Sequence, residues 1–202
     1  PTEAVTTEPL WNLEDVRTSY LWDQGIAGEG VVVAVFDSGV DLNHPDLVSR
    51  WRGGANSWFD PYGEYDFPVD FDGHGTQATG LVLGGDASGY QIGMAPNAQW
   101  IAAKIFDSNN QTTLSAIHEA FQWALDPDGD PTTDDAPDVV NNSWGFINTI
   151  NECYQEFSDD IRLLREAGIA VVFSAGNFGP SPETSLSPAN DPNVISVGSC
   201  LL

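Results

Sequence analysis

Residues 31–37 read Val-Val-Val-Ala-Val-Phe-Asp. Six apolar residues follow one another without a polar interruption, and four of them are β-branched. A half-buried strand alternates. A run like this needs cover on both faces, as in the middle of a parallel sheet. The run ends on Asp37, followed by Ser38-Gly39. In open α/β sheets the chemistry gathers just outside the carboxyl ends of the strands, which makes Asp37 a candidate site residue. Taken alone, it serves equally well as a metal ligand, a phosphoryl acceptor or the cap of a turn.

The rest of the chain supplies the covering layers. A short helix is expected over residues 18–25, stopped by Gly25. Small and apolar residues follow His74 without a charge, which predicts a closely packed helix carrying His74 in its first turn. Further strands are expected over 100–106, 138–143, 169–173 and 193–198. Between them lie two amphipathic helices. Over 112–125, Leu114, Ile117, Phe121, Ala124 and Leu125 keep the i, i+3, i+4 spacing, with His118 beside the stripe as a structural residue. Over 155–167, Phe157, Ile161, Leu164 and Ala167 share a face, and Gly168 ends the helix. Strands alternating with helices give an α/β fold, a parallel sheet with helices on both faces. Residues 1–10 read as a loose arm and 11–202 as one domain. Residues 51–71 read as a loop whose aromatics (Trp51, Trp58, Phe59, Tyr62, Tyr65 and Phe67) pin it to the body or line a cleft. Residues 126–137 form an acidic loop, solvated or holding a cation.

Thirty acidic residues against six basic ones give a net charge of −24, and Lys104 is the sole lysine. With no basic patch to meet phosphates, nucleic acid is not expected as a partner. The excess suits an acidic secreted protein. It also suits saline surroundings, where counterions screen the self-repulsion. No apolar run approaches the roughly 18 residues of a membrane span. Pro1 opens a polar segment without a signal-peptide pattern, so an exported protein is present here in processed or trimmed form. Cys153 and Cys200 form one disulfide or stay as two buried thiols; their spacing fits no zinc motif.

Three polar groups, Asp37, His74 and Asn177, stand at strand ends or a helix start, each among glycines. Their neighbourhoods resemble the subtilisin-like serine peptidases. Asp37-Ser38-Gly39-Val40, followed by His44-Pro45-Asp46-Leu47, is similar to the family's aspartate motif. Asp72-Gly73-His74-Gly75-Thr76 is similar to its histidine motif, Asn142-Ser143-Trp144-Gly145 to its substrate-binding strand, and Ser174-Ala175-Gly176-Asn177 to its oxyanion-hole segment. The strings Asn-Asn-Ser-Trp-Gly and Val-Phe-Ser-Ala-Gly-Asn look closest to the bacillopeptidase F-like branch. The resemblance implies an endopeptidase acting on extended peptides or proteins. His74 would be the general base, Asp37 the orienter of its imidazole, and Asn177 the oxyanion donor. Ser143, Trp144 and Gly145 would pair with the substrate backbone, and Ala175 and Gly176 would wall the specificity pocket. Pro188 would shape that pocket's floor. It also implies a structural calcium at Asp46 with the loop of residues 85–91, Gln91 included. Where the family commonly has a second histidine after the motif, this chain has Gln77.

The nucleophile departs from the pattern. In this family the serine comes last, in a Gly-Thr-Ser-x-Ala string, and no such string occurs in these 202 residues. The chain is expected to be part of a longer enzyme, one chain of a nicked enzyme whose serine segment is separate, or a non-catalytic peptide-binding relative. Alone it is expected to be inactive and, with its sheet truncated before the serine segment, to expose apolar surface over 194–202 and self-associate. A phospho-receiver or phosphatase with Asp37 as acceptor and Mg²⁺ would need further carboxylates and a lysine at neighbouring strand ends, whereas Lys104 is expected inside its strand, and it would leave the Asp-Gly-His-Gly-Thr motif without a purpose.

Overall fold

The computed structural model describes residues 7–199. Two short helices, α1 (Trp11–Asp15) and α2 (Ser19–Trp22), lead into strand β1 (Val32–Asp37). Then come β2 (Trp58–Phe59), α3 (His74–Leu83), β3 (Gln99–Lys104), α4 (Leu114–Leu125), β4 (Val139–Asn142), α5 (Ser158–Glu166), β5 (Ala170–Ser174) and β6 (Ile195–Val197). The strands form one six-stranded sheet in the order β2-β3-β1-β4-β5-β6. Every pairing is parallel. The fold is the α/β class read from the sequence.

β1 lies inside the sheet between β3 and β4, which is why its sequence does not alternate. Ala34 and Phe36 enter the core beneath α4 and α5, where Ile117, Phe121, Phe157, Ile161 and Leu164 meet Val171 and Phe173. Val33 and Val35 enter the opposite core with Leu47, Trp58, Leu83 and Trp100. Both faces are thus covered at β1, but not across the whole sheet. Over β4 and β5 the α3-side residues Val139, Asn141 and Val172 are only partly buried, and on edge strand β6 Ile195 and Val197 are 55% and 52% exposed. Among the described residues the apolar surface expected near 194–202 is therefore present up to Ser199.

Several expectations shift in detail. β2 falls inside the stretch expected to be loop. It is two residues long, pairs with Ala102 and Ala103, and is too short to leave a pattern. The aromatics around it do pin the segment: Phe59 stacks on Trp123 at 5.6 Å, Trp51 meets Trp100, and Tyr62 donates to the Ile105 carbonyl at 3.0 Å. Phe67 points to solvent instead. Leu114 and Ala167 lie outside their expected apolar faces and are exposed. The arm expected over 1–10 is docked at its end: Gln91 N–H donates to the Glu8 carbonyl and Leu10 N–H to the Gln91 carbonyl, at 2.9 and 3.0 Å. Cys153 is exposed, not buried, while Cys200 lies outside the described residues. Among the described residues no helix is long and apolar enough to cross a membrane.

Candidate active site

Two elements meet at the site. β1 delivers Asp37 at its carboxyl end, 1% exposed. α3 begins with His74, whose side chain is 53% exposed. His74 Nδ1 lies 2.8 Å from Asp37 Oδ1 and 2.9 Å from Oδ2. An ionised carboxylate there accepts the Nδ1 proton, which fixes the tautomer and leaves Nε2 as the basic nitrogen. Ser38 N–H adds a donor to Asp37 Oδ1 at 2.7 Å. The hydrogen bond with Asp37 holds the imidazole above its ordinary value of 6.5; burial opposes this, and the charges of Asp37, Asp72 and Asp70 add to the rise.

The two glycines flanking the pair's approach are sterically required. A Cβ on Gly75 would sit 2.0 Å from the Gly39 carbonyl oxygen and 3.0 Å from Asp37 Cβ. Gly39 has φ of +117°, and a Cβ on it would lie 1.9 Å from the Val69 carbonyl oxygen. α3 can press its first turn onto the end of β1 only because Gly75 lacks a side chain, and the loop at Val69 can lie against Gly39 for the same reason.

The sequence reading missed Asp70. A helix start leaves backbone N–H groups without intrahelical partners, and here Asp70 and Ser38 take them. Asp70 accepts from Asp72 N–H, Gly73 N–H and Ser38 Oγ at 3.1, 2.9 and 3.0 Å, and from Thr76 N–H and Oγ1 at 2.9 and 2.6 Å. Ser38 Oγ accepts Gly75 N–H at 3.0 Å. Burial pushes the Asp70 carboxyl up, but its hydrogen bonds from Thr76, Gly73 and Ser38 outweigh this and hold it below the ordinary carboxylate value. An acidic residue three positions before a glycine at a helix start was the available signal.

The other predicted residues gather at the carboxyl ends of β4 and β5. Ser143, Gly176 and Asn177 border a cleft of about 340 Å³ with Asn141, Ser174 and Gly198. Ala175, Gly176 and Asn177 also border an adjoining cleft of about 670 Å³. Asn177 is exposed. Trp144 turns its ring away into the core, 5.1 Å from Phe173 and edge-on to it, so what this position offers a ligand is backbone. Pro188 is buried behind the cleft. His118 is structural as expected: Nδ1 bonds Asp160 at 2.7 Å and Nε2 Glu156 at 3.3 Å, tying α4 to α5.

Asp46 is buried, with Oδ1 accepting Ser88 N–H at 3.2 Å. Gln91 turns its amide nitrogen to the Gly84 and Gly93 carbonyls, at 2.6 and 3.0 Å. Two acceptors must face a donor, so that side of Gln91 is its amide nitrogen and only Oε1 remains to meet a cation. The Asp46 carboxylate and the Gln91 Oε1 offer at most three of the roughly six to eight oxygens that calcium takes. In the acidic loop, carboxylate oxygens of Asp126, Asp128 and Asp135 lie within 4.8 Å of one another, with the Arg52 guanidinium bonded to the Asp135 carbonyl at 2.6 Å.

A buried aspartate gripping the Nδ1 of an accessible histidine at the strand ends of a parallel sheet fixes the imidazole tautomer and leaves its other nitrogen free to exchange a proton. The chain belongs to the subtilase family, whose sequence model matches residues 28–201. It is 37% identical to bacillopeptidase F of Bacillus subtilis over 93% of this chain and 14% of that protein. It is 34% identical to serine protease AprX over 87% of this chain and 39% of that protein. With subtilisin E, both of the same species, it shares 33% identity over 93% of this chain and 45% of that protein. The chain thus spans less than half the length of each of these three relatives.

Proposed function

We propose that these residues form the base, orienter and oxyanion-donor part of a subtilisin-type serine endopeptidase whose nucleophilic serine lies outside residues 1–202. The observation that carries the reading is the two-oxygen grip of buried Asp37 on His74 Nδ1, with the other ring nitrogen left to the half-exposed side. In the forward step, His74 Nε2 takes the serine hydroxyl proton as the hydroxyl oxygen bonds to the scissile carbonyl carbon. The carbonyl π electrons move onto oxygen. Asp37 stabilises the resulting imidazolium, and Asn177 donates its side-chain amide to the oxyanion. As the tetrahedral intermediate collapses, His74 returns the proton to the leaving amine. The backbone of Ser143–Gly145 pairs with the extended substrate as an added strand. The partly uncovered face of β4–β6, apolar through Val172, Ile195 and Val197, is where the serine-bearing segment would pack.

A serine-directed phosphonate tests this. The full-length protein should be labelled and hydrolyse a denatured protein substrate; His74→Ala should abolish both. Residues 1–202 alone should not be labelled, and labelling of them would overturn the placement of the serine. The lack of a Gly-Thr-Ser-x-Ala string here favours one second reading, a non-catalytic relative that grips peptides at Ser143–Gly145. A full-length protein that binds peptide but takes no label would favour it. Calcium at Asp46 is a separate proposal, carried by the resemblance; a melting temperature unmoved by chelator would reject it. An extracellular location belongs to the same reading and rests on the acidic composition; recovery of the protein only from the cell lysate would count against it.

A further inference from the structure

The segment leading to Pro188 crosses the space between the proposed pocket wall at Ala175–Gly176 and the proposed substrate-pairing strand at Ser143–Gly145, and it brings a large side chain with it. Leu186 is 5% exposed. A Cβ added to Gly176, on the wall, would lie 2.8 Å from Leu186 Cγ and 3.0 Å from Cδ1. A Cβ added to Gly145, on the pairing strand, would lie 3.2 Å from Leu186 Cβ and 3.3 Å from Cδ1. One leucine therefore lies against both glycines and occupies the space between them.

Its backbone is clamped on each side. Leu186 N–H donates to the Ala175 carbonyl at 3.2 Å, Phe146 N–H to the Ser187 carbonyl at 2.9 Å and Asn151 N–H to the Ser185 carbonyl at 3.0 Å. Ser187, fully buried, receives Tyr154 N–H at its hydroxyl, gives that hydroxyl's proton to acceptors at Glu152 or Asn190, and donates its own N–H to Thr149 Oγ1. These bonds hold the segment from the far side of the cleft. The Leu186 backbone cannot retreat without breaking them.

We propose that Leu186 is a specificity-determining residue that closes the primary pocket, so that the site takes a small side chain (Gly, Ala or Ser) on the residue before the scissile bond. This rests on the peptidase reading, with Ser143–Gly145 as the substrate-pairing strand and Ala175–Gly176 as the pocket wall. A single methylene too many in an apolar pocket is worth about 10–200-fold in discrimination. Alanine should therefore exceed phenylalanine at that position by about tenfold or more.

The test uses the full-length protein and two readouts. The first is kcat/KM on peptides differing only in Ala or Phe before the cut bond. The second, which needs no serine, is binding of product-like peptides ending in Ala or Phe, followed by NMR shift changes at Gly145 and Gly176. Wild type should favour Ala in both. Leu186→Gly should raise the Phe peptide about tenfold and leave the Ala peptide little changed; Leu186→Ala, which keeps a Cβ in the core, should move the same way by less, with its melting temperature recorded. Wild type favouring Phe, a folded Leu186→Ala with an unchanged ratio, or neither peptide binding would overturn the proposal. A protein that takes no phosphonate label but still binds the Ala-ended peptide more tightly would sink the peptidase reading and leave the role of Leu186 standing.

Discussion

At His74 the direction of the pH dependence follows from its partner. The hydrogen bond with Asp37 raises the imidazole pKa above 6.5. A raised pKa means the charged form is favoured on folding. That stabilisation is fully present below 6.5 and is lost as pH rises through the higher folded value. Catalysis has the opposite demand, because a general base must be neutral, so the acid limb of the full-length enzyme's kcat/KM should lie above 6.5. On this chain alone, an NMR titration of the His74 ring should give a midpoint above 6.5, and Asp37→Asn should lower it; a wild-type midpoint at or below 6.5 contradicts the geometry. Asp70 gives a second prediction. Its carboxylate pKa is lowered, so its contribution is present above the ordinary carboxylate value of 3.8 and fades as pH falls through the folded one. Asparagine keeps one acceptor oxygen where two oxygens now share five donors. Asp70→Asn should cost roughly 1–3 kcal/mol, towards the lower end because the site is half-buried. The His74 midpoint should also fall as a nearby negative charge is lost. An unchanged melting temperature and midpoint would reject the clamp. The motif around His74 was readable because glycines and a histidine in that order have one steric use here, the close approach of Gly75 to Gly39. Asp70 offered only its place three positions before Gly73 and Leu186 offered no signal, since each acts through what folding brings to it: helix-start donors for one, two glycines for the other.

Among the elements, the long ones were legible and the short ones were not. β1, α4 and α5 carry enough residues for a period to emerge, and their buried residues Ala34, Phe36, Ile117, Phe121, Ile161 and Leu164 form one core. β2, with two residues, has no period; its pairing follows from the aromatics that pin its loop. The same loop is held by the sole lysine. Lys104, expected inside its strand, instead ends β3, with its ammonium on Glu64 at 3.0 Å and on the Phe106 carbonyl at 2.6 Å, near the rings of Tyr62 and Tyr65. The α4–α5 contact depends on His118 in a titratable way. Burial lowers the His118 pKa, but the bonds to Glu156 and Asp160 and their charges outweigh it, and the net shift is upward. Its contribution is therefore complete below 6.5 and lost as pH rises through the folded value. Partly exposed pairs of this kind are worth roughly 0.2–1 kcal/mol, and a domain of this size shifts about 2–4 °C per kcal/mol. His118→Gln should thus flatten the fall in melting temperature between acidic and mildly alkaline pH by up to a few degrees. Parallel pH curves for wild type and variant would show that the bridge does not hold the helices.

Over the whole molecule two features oppose each other. The net charge of −24 makes the compact state repel itself, an effect that salt screens with a Debye length falling from about 30 Å at 0.01 M to about 8 Å at 0.15 M. The melting temperature of this chain should therefore climb with added sodium chloride, and a flat response would remove any case for saline adaptation. The same charge also keeps molecules apart, while the sheet face at β4–β6 pulls them together. Ile195 and Val197 stand half in solvent beside partly buried Val172, an apolar strip at a parallel sheet edge, which also presents unpaired backbone groups. At low salt the long-range repulsion should keep the 202-residue chain largely monomeric. At physiological salt and above, the repulsion is screened and apolar contact is not weakened, so sedimentation should show a growing share of dimer and larger species. Because the association rests on the strip, Ile195→Ser with Val197→Ser should shift the chain back towards monomer at high salt while changing its melting temperature little, since both side chains are already exposed. A wild-type chain that stays monodisperse at every salt concentration would mean that this face is covered by something other than a second copy.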